Sequence, residues 1–173
     1  SNQNYVKKVV FPLEILSWMV VFSAILHFLV NFGVLLSFCF FTDVSMHGGV
    51  LLTPIILLPL VLTTLGLSWI LSSLGVYLRD LSQVAAMATT IALFLAPIFY
   101  PIEALPQNYQ TLITLNPITL PIYQFREALF WNTPDLVLKR WDLWALSLVV
   151  GATINYIGYW WFQKSRRGFA DVL

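Results

Sequence analysis

Side chains that commonly carry acid–base or metal chemistry are sparse in this sequence and do not cluster. Its two histidines, His27 and His47, are separated by about half the membrane thickness. Four carboxylates that could in principle pair as a general acid and base fall in the segment 103–142. They are Glu103, Glu127, Asp135 and Asp142. Because carboxylates scattered along a surface segment are usually solvated, this pattern favours a solvated surface over a catalytic pair.

Motifs that bind nucleotides or activate a nucleophile are missing from the sequence. It contains no G-x-x-x-x-G-K-[ST] phosphate loop, no G-x-S-x-G serine and no histidine–carboxylate run with metal-ligand spacing. We therefore expect no catalytic residue, no metal and no cofactor on this chain. Any energy that drives its work must come from another protein.

Composition places the chain in a membrane. Hydrophobic residues make up 59% and charged residues 10% of its 173 residues, whereas soluble domains contain roughly 45–50% and 25%. This apolar surface exceeds what one small core can bury, which predicts an integral membrane protein. The net charge of +1 gives no reason to expect nucleic acid, and the single cysteine, Cys39, excludes an intrachain disulfide framework.

Four uncharged stretches are about long enough to cross a ~30 Å hydrocarbon core as helices. They cover residues 15–41, 49–78, 84–102 and 143–162. The predicted fold class is therefore an all-α, polytopic membrane helix bundle. In the first stretch Ser23, His27 and Asn31 share one helix face, where we expect polar groups to bond to neighbouring helices. A metal or proton-relay role for His27 competes with packing, but no other ionisable group lies in that stretch.

Small residues are concentrated in the later half of the second stretch, where they favour close helix packing over a substrate site. Those in the second stretch are Gly66, Ser68, Ser72, Ser73 and Gly75, and the fourth carries Gly151, Asn155 and Gly158. The second stretch is longer than the membrane is thick, so it must tilt, protrude or kink at Pro54 or Pro59.

The distribution of lysine and arginine predicts the orientation in the membrane. With four spans, six basic residues share the side of the chain ends: Lys7, Lys8, Arg79, Lys164, Arg166 and Arg167. Only Arg126, Lys139 and Arg140 lie on the other side. Since basic loops are retained in the cytoplasm, both ends of this chain are predicted to be cytoplasmic and the segment 103–142 extracytoplasmic.

The segment 103–131 reads as a helical hairpin at the outer membrane surface. It contains two apolar pieces, 107–115 and 118–131, of the length that suits interfacial or re-entrant helices, and Asn116-Pro117 between them disfavours helix. In the second piece Ile118, Ile122, Phe125 and Leu129 fall on one predicted inner face. Gln124 and Glu127 fall on the opposite side.

Several stretches taken together resemble one family of transport proteins. In chain order they are KKVVFPLEIL (7–16), GVYLRDLSQV (75–84), LFLAPIFYPIEALP (93–106), LNPIT (115–119), YQFREALFW (123–131) and FADVL (169–173). The ordered set is similar to the membrane subunit of ABC-2 type polysaccharide exporters, most of all to O-antigen (lipopolysaccharide) export permeases. Teichoic acid and capsule exporters are related families.

The resemblance implies a homodimeric permease in the bacterial inner membrane. It implies a separate cytoplasmic ATPase that binds ATP and Mg²⁺, and a lipid-linked polysaccharide as substrate. Family members carry an amphipathic helix and two further spans before the point that matches Ser1, so residues 1–173 are expected to be part of one transmembrane domain, the last four of six spans.

Three sets of candidate residues follow from this resemblance and from the residue pattern. The predicted ATPase-coupling set, in the basic lead and the short turn between the second and third spans, is Tyr5, Lys7, Lys8, Tyr77, Arg79 and Asp80. The predicted glycan-contact set consists of aromatic rings that can stack on sugar C–H faces: Phe94, Phe99, Tyr100, Tyr109 and Tyr123. The predicted gate in and beside the hairpin is Pro97, Pro101, Asn116, Pro117, Arg126 and Glu127.

Alternatives remain open from the sequence alone. The aromatic residues also fit an interfacial belt, Arg79 also fits the positive-inside rule, and the hairpin also fits a plain membrane anchor. A membrane-bound enzyme acting on glycans or lipids would need a histidine or carboxylate cluster at the bilayer surface. A purely structural anchor would need no hairpin with this pattern.

Overall fold

The structure is a computed structural model, and it describes residues 14–42, 48–78, 80–98, 100, 104–114, 118–130 and 141–168. The α-helices in these ranges are α1 (Glu14–Phe41), α2 (Thr53–Tyr77), α3 (Leu81–Leu95), α4 (Gln107–Thr114), α5 (Thr119–Phe130) and α6 (Trp141–Ser165). Short 3-10 helices cover Gly48–Leu52 and Arg166–Gly168.

The predicted all-α class is confirmed, because the described residues form helices and no strand. Three helical stretches are long and apolar enough to cross a membrane: Ile15–Phe41, Val50–Tyr77 and Asp142–Ser165. The described part of the chain also contains one shorter apolar helix, α3. The count of four spans remains a prediction.

Helix α3 differs from the predicted third span at both ends. It begins at Leu81 and ends at Leu95, whereas the sequence pattern predicted residues 84–102. Its end has a local cause. Ala96 precedes Pro97, and the proline ring disfavours helical backbone at the residue before it. Ala96 is accordingly extended, with φ −74° and ψ 138°.

The centre of the fold is the contact between α2 and α6, which the small residues make possible. On α2 the buried stripe includes Ile56, Pro59, Thr63, Gly66 and Ser73, and on α6 the buried positions are Gly151, Gly158 and Phe162. Both stripes recur at three- and four-residue steps, which keeps each of them on one helix face. The predicted packing role is thus confirmed for Gly66 and Ser73, while Ser72 and Gly75 are exposed.

Glycine is required where the two backbones approach most closely. A Cβ added at Gly66 would lie 2.6 Å from the backbone carbonyl of Ile154, and one added at Gly158 would overlap the carbonyl oxygen of Gly66. A Cβ at Gly151 would lie 2.8 Å from the carbonyl oxygen of Pro59. In a membrane, helices associate largely through such close van der Waals packing, because lipid tails are as apolar as leucine.

Side chains of α6 also bond to carbonyls of α2. Pro59 has no N–H, so it cannot bond to the Ile55 carbonyl one turn earlier. The indole Nε1–H of Trp144 donates to that carbonyl instead, at 3.0 Å. The amide of Asn155 donates to the Leu62 carbonyl at 3.2 Å. A proline inside a spanning helix is tolerated when a neighbour satisfies the freed carbonyl in this way.

Successive contacts show that α2 and α6 run parallel. Their early residues meet through Ile55 and Trp144, their middle residues through Gly66 and Gly158, and their ends through Tyr77, whose hydroxyl donates to the Ser165 carbonyl at 3.3 Å. Both helices therefore end at the same side of the bundle. This is the arrangement expected if one crossing by α3 separates them in the chain.

Helix α1 packs on the same frame in the opposite direction. The ring of Trp18, near its start, meets Trp69 edge to face with centroids 6.3 Å apart, and Trp69 also contacts Tyr159 of α6 at 5.1 Å. The prediction that the polar face of α1 bonds to other helices stays a prediction for Ser23 and Asn31, and the bond described for His27 is local. His27 Nδ1 lies 2.8 Å from the Ser23 carbonyl of its own helix, which satisfies the ring locally.

We predict that Gly158→Ala lowers the thermal stability of the purified protein, because its Cβ has no room against the Gly66 carbonyl. Overpacking of this kind costs about 1–3 kcal/mol. Differential scanning fluorimetry in detergent measures the effect. Gly33→Ala in α1 is the matched control, since nothing lies within 4 Å of a Cβ at Gly33. Equal melting temperatures for the two variants would contradict the packing described for α2 and α6.

Candidate functional site

Helix α5 of the predicted hairpin lies at the end of the bundle where α2 begins. It contacts α2 and the preceding 3-10 helix, and α4 packs beside it. Because α2 and α6 end together at the opposite side, α5 and the α3–α4 turn mark one end of the molecule and the α2–α3 turn the other. These two ends are the places where the predicted functional residues fall.

An aromatic cluster that the sequence pattern did not indicate fixes α5 to α1. Phe28 and Phe32 stack along α1 with centroids 5.5 Å apart. Phe125 of α5 meets both of them, at 6.0 Å and 5.6 Å. Phe28 and Phe32 are four residues apart and so share a helix face, but a contact with a residue almost a hundred positions away has no local sequence signal.

The buried face of α5 is not the one predicted. Leu129 is fully buried as expected, but Gln124, which was placed on the outer side, is only 2% exposed. Leu120 and Ala128, one turn before and after Gln124, are buried as well. The reason is that α5 has neighbours on two sides. It presents Phe125 to α1 and a second face, centred on Gln124, to the rest of the bundle.

Buried polar groups without hydrogen bonds gather around this junction. Within the described residues no partner is found for the amide Nε2 of Gln124, the hydroxyl of Thr119 or the hydroxyl of Thr53. Thr119 opens α5 and Thr53 opens α2, and both are buried. A buried donor left unpaired costs about 1–3 kcal/mol. The junction between α5 and α2 is therefore held less firmly than its burial suggests.

A charged side chain connects α5 to the end of α3. The guanidinium of Arg126 donates to the carbonyl of Ile98. Next to it, Pro97 is buried, and the hydroxyl of Tyr100 donates to the Leu95 carbonyl at 3.0 Å. The Tyr100 bond satisfies a carbonyl that the end of α3 leaves without a helical partner, and the Arg126 bond satisfies one in the turn that follows. Arg126 of the predicted gate therefore bonds to a backbone carbonyl of its own chain.

The described members of the predicted glycan-contact set differ in exposure. Phe94 on α3 is 67% exposed and Tyr109 on α4 is 59% exposed, whereas Tyr100 and Tyr123 are half-buried. Tyr100 reaches the backbone of Phe94, at 3.5 Å from its carbonyl. Ring contacts described at this end of the bundle join Phe28, Phe32 and Phe125, and another joins Phe40 to Phe41 at the end of α1.

The opposite end of the bundle holds two of the predicted coupling residues. Tyr77 ends α2, and its bond to Ser165 connects the α2–α3 turn to the last turn of α6. Asp80 is exposed in that turn, and its carbonyl accepts bonds from the backbone N–H groups of Gln83 and Val84 at the start of α3. In the last turn of α6, Lys164 lies over the ring of Trp160, 5.1 Å from its centroid.

Several predicted site residues lie outside the described residues. They are Tyr5, Lys7, Lys8, Arg79, Phe99, Pro101, Asn116 and Pro117. Glu127 belongs to α5, but its side chain is also outside the description. Among the residues that are described, no group of three or more histidine, cysteine or carboxylate side chains could hold a metal ion.

We predict that Arg126→Met loosens α5, because it removes the donor to the Ile98 carbonyl. With Ala128→Cys as a buried reporter in a Cys39→Ser background, labelling by a small methanethiosulfonate reagent should become about threefold to tenfold faster, as loss of one hydrogen bond implies. Lys164→Met, which removes a cation at the other end, is the matched control and should leave the rate unchanged. An unchanged rate in Arg126→Met would show that its bond does not hold the helix.

Comparison with known proteins gives a consistent result. Residues 1–130 match the family model described as ABC-2 type transporter. The chain is 28% and 27% identical, over 177 residues in each case, to two Klebsiella pneumoniae proteins, each named O-antigen export system permease protein RfbA. It is 24% identical over 181 residues to a Myxococcus xanthus protein of the same name.

These alignments cover all of this chain but only part of the relatives. The chain spans 65% of the length of the two Klebsiella pneumoniae proteins and 66% of the Myxococcus xanthus protein.

Proposed function

Because this chain belongs to the ABC-2 type transporter family, we propose that it forms membrane-spanning helices of an exporter that moves a lipid-linked polysaccharide of the O-antigen kind across the bacterial inner membrane. The observation that carries the proposal is the similarity of the entire chain to proteins named O-antigen export permeases. The chain acts as a permease and not as an enzyme. Its three long apolar helices supply the spanning part.

The proposed orientation combines the parallel α2–α6 pair with the charge distribution. Lys164 and Arg166 lie at the end where α2 and α6 finish, and the turn with Asp80 is at that same end. Basic residues are retained on the cytoplasmic side. We therefore assign this end to the cytoplasm and the end with α4 and α5 to the extracytoplasmic side.

ATP hydrolysis takes place on a separate subunit in this proposal, which binds at the cytoplasmic end. The sequence has no phosphate loop of its own. The turn around Tyr77, Arg79 and Asp80 is too short to fold alone, so a partner that moves it moves α2 and α3 together. The bond from Tyr77 to Ser165 extends this connection to α6. Tyr5, Lys7 and Lys8 are assigned to the same docking surface.

A second copy of the chain completes the channel for the polysaccharide in this proposal. None of the residues of α3 is buried within the chain. Its exposed apolar side chains, among them Met87, Ile91 and Phe94, leave a full helix surface for lipid or for a partner copy. A homodimer in which the two α3 helices approach each other would place Phe94 where a passing glycan could stack on it.

The hairpin acts as the extracytoplasmic gate. Irregular backbone at membrane depth is tolerated only where it is buried in protein or lines a water-filled cavity. Helix α5 meets this requirement through three separate attachments: the Phe125 cluster on α1, the Gln124 face on the bundle and the Arg126 bond to Ile98. The turn at Pro97 supplies the pivot about which the helix moves.

A cross-link between α1 and α5 tests the gate. Phe32→Cys with Phe125→Cys, in a Cys39→Ser background, places two thiols at a contact where the rings now lie 5.6 Å apart. Bridging them with a short bifunctional methanethiosulfonate should abolish polysaccharide export in cells that depend on this protein. Reduction of the bridge should restore export.

The matched controls are the two single-cysteine proteins with the same reagent, which should export normally. ATP hydrolysis by the purified complex provides a second readout, since a frozen gate should leave basal hydrolysis intact and remove its response to glycan lipid. Full export by the completely cross-linked protein would refute the assignment of α5 as a gate.

A further inference from the structure

We propose that Gln124 sets the opening equilibrium of the hairpin, and that its amide donates to the oxygen of a water molecule or of a glycan hydroxyl once α5 has separated from the bundle. The role of Gln124 in export rests on the proposed function. The structural observations on Gln124 do not depend on that function. Gln124 is a polar side chain in the middle of the buried face of α5, and its Nε2 has no partner among the described residues.

The nearest positions on the same face of α5 are apolar. Leu120 and Ala128 flank it along the helix, and all three are at least nine-tenths buried. A leucine or methionine at this position would pack equally well and leave no donor unpaired. The closed hairpin is therefore destabilised by one specific group, the amide, and that penalty disappears when the amide reaches an oxygen acceptor.

Two further hydroxyl groups also destabilise the closed hairpin. Thr119 at the start of α5 and Thr53 at the start of α2 are also buried without a partner in the described structure. They lie on the two elements that must part when the hairpin opens. Separation exposes all three groups to hydrogen-bond acceptors at once. Opening is thus favoured by polar groups on both sides of the junction.

Another glutamine in the hairpin shows the contrasting arrangement. Gln110 on α4 donates from Nε2 to the Leu105 carbonyl at 2.7 Å, so its amide is satisfied in the closed state. Removal of the Gln110 amide should weaken the hairpin, because it leaves that carbonyl without its donor. Removal of the Gln124 amide should strengthen it. Removal of the two amides should therefore change the stability of the closed hairpin in opposite directions, which makes the two glutamines a matched pair.

The experiment measures backbone hydrogen exchange over residues 119–130 in the purified protein in lipid nanodiscs, where exchange reports the population of the opened segment. Gln124→Met keeps the side-chain length and removes the amide. It should slow exchange about tenfold relative to the unsubstituted protein. Gln110→Met should speed it. Gln124→Glu, which places a charge in the same buried position, should also speed it.

Adding the purified lipid-linked glycan distinguishes a water oxygen from a glycan hydroxyl oxygen as the acceptor. A sugar acceptor predicts that glycan speeds exchange in the unsubstituted protein and has a smaller effect in Gln124→Met. If water is the acceptor, the ratio of the exchange rate in the unsubstituted protein to that in Gln124→Met should be the same with and without glycan. Either result keeps the assignment of Gln124 to the opening equilibrium.

Failure of this inference can be distinguished from failure of the proposed function. Equal or faster exchange in Gln124→Met than in the unsubstituted protein overturns the inference, whatever happens to export. Slower exchange together with slower export supports both. Slower exchange with unchanged export supports the role of Gln124 in opening and overturns the hairpin as the gate for the polysaccharide.

Discussion

The structure depends on the direct backbone contact between α2 and α6. Gly66 and Gly158 bring the two helices closer than any side chain would allow, because the backbone of each helix packs directly against the backbone of the other. In lipid this geometry replaces the hydrophobic effect as the source of specificity. The hydrogen bonds from Trp144 and Asn155 then fix the register of the pair, and the former also satisfies the carbonyl that Pro59 leaves free.

The other helices are attached to the α2–α6 pair less firmly, and the attachment weakens from α1 to α5 to α3. Helix α1 joins the pair through the contact of Trp18 with Trp69. Helix α5 packs against α2 and is also linked to α1 by the aromatic cluster and to Ile98 by the arginine bond. Helix α3 buries none of its residues. A rigid pair with loosely attached elements around it suits the proposed channel, which has to open and close, because interfaces with few strong contacts can change without loss of the fold.

The sequence predicted the elements whose signal is local. Uncharged stretches identified the long helices, and Gly66 and Ser73 were recognised as packing residues because small side chains in a membrane helix have few other uses. Pro97 also gave a local signal for the end of α3, although the predicted span ran past it. The predicted orientation of the ends rests on basic residues, which act through the membrane potential and the lipid surface and not through the fold, and it stays a prediction.

Features that depend on distant contacts could not be predicted. The inner face of α5 was misassigned because a periodic pattern shows which residues are apolar but not which neighbours surround the helix, and α5 has neighbours on two sides. The contacts of Phe125 with Phe28 and Phe32, and of Trp144 with Ile55, join residues about ninety positions apart. Gln124 appears in the sequence as an ordinary surface residue, and only its burial reveals the unpaired amide.

The central claim is that α2 and α6 stay fixed while α5 moves, and spin-label distances test it most directly. Labels at Leu58 and Val149 report on the frame, and labels at Leu58 and Phe130 report on the hairpin, since all three side chains are exposed. With the partner ATPase and glycan lipid present, addition of ATP should leave the first distance unchanged and shift the second. A shift of the first distance as large as that of the second, or an unchanged second distance, would contradict the account.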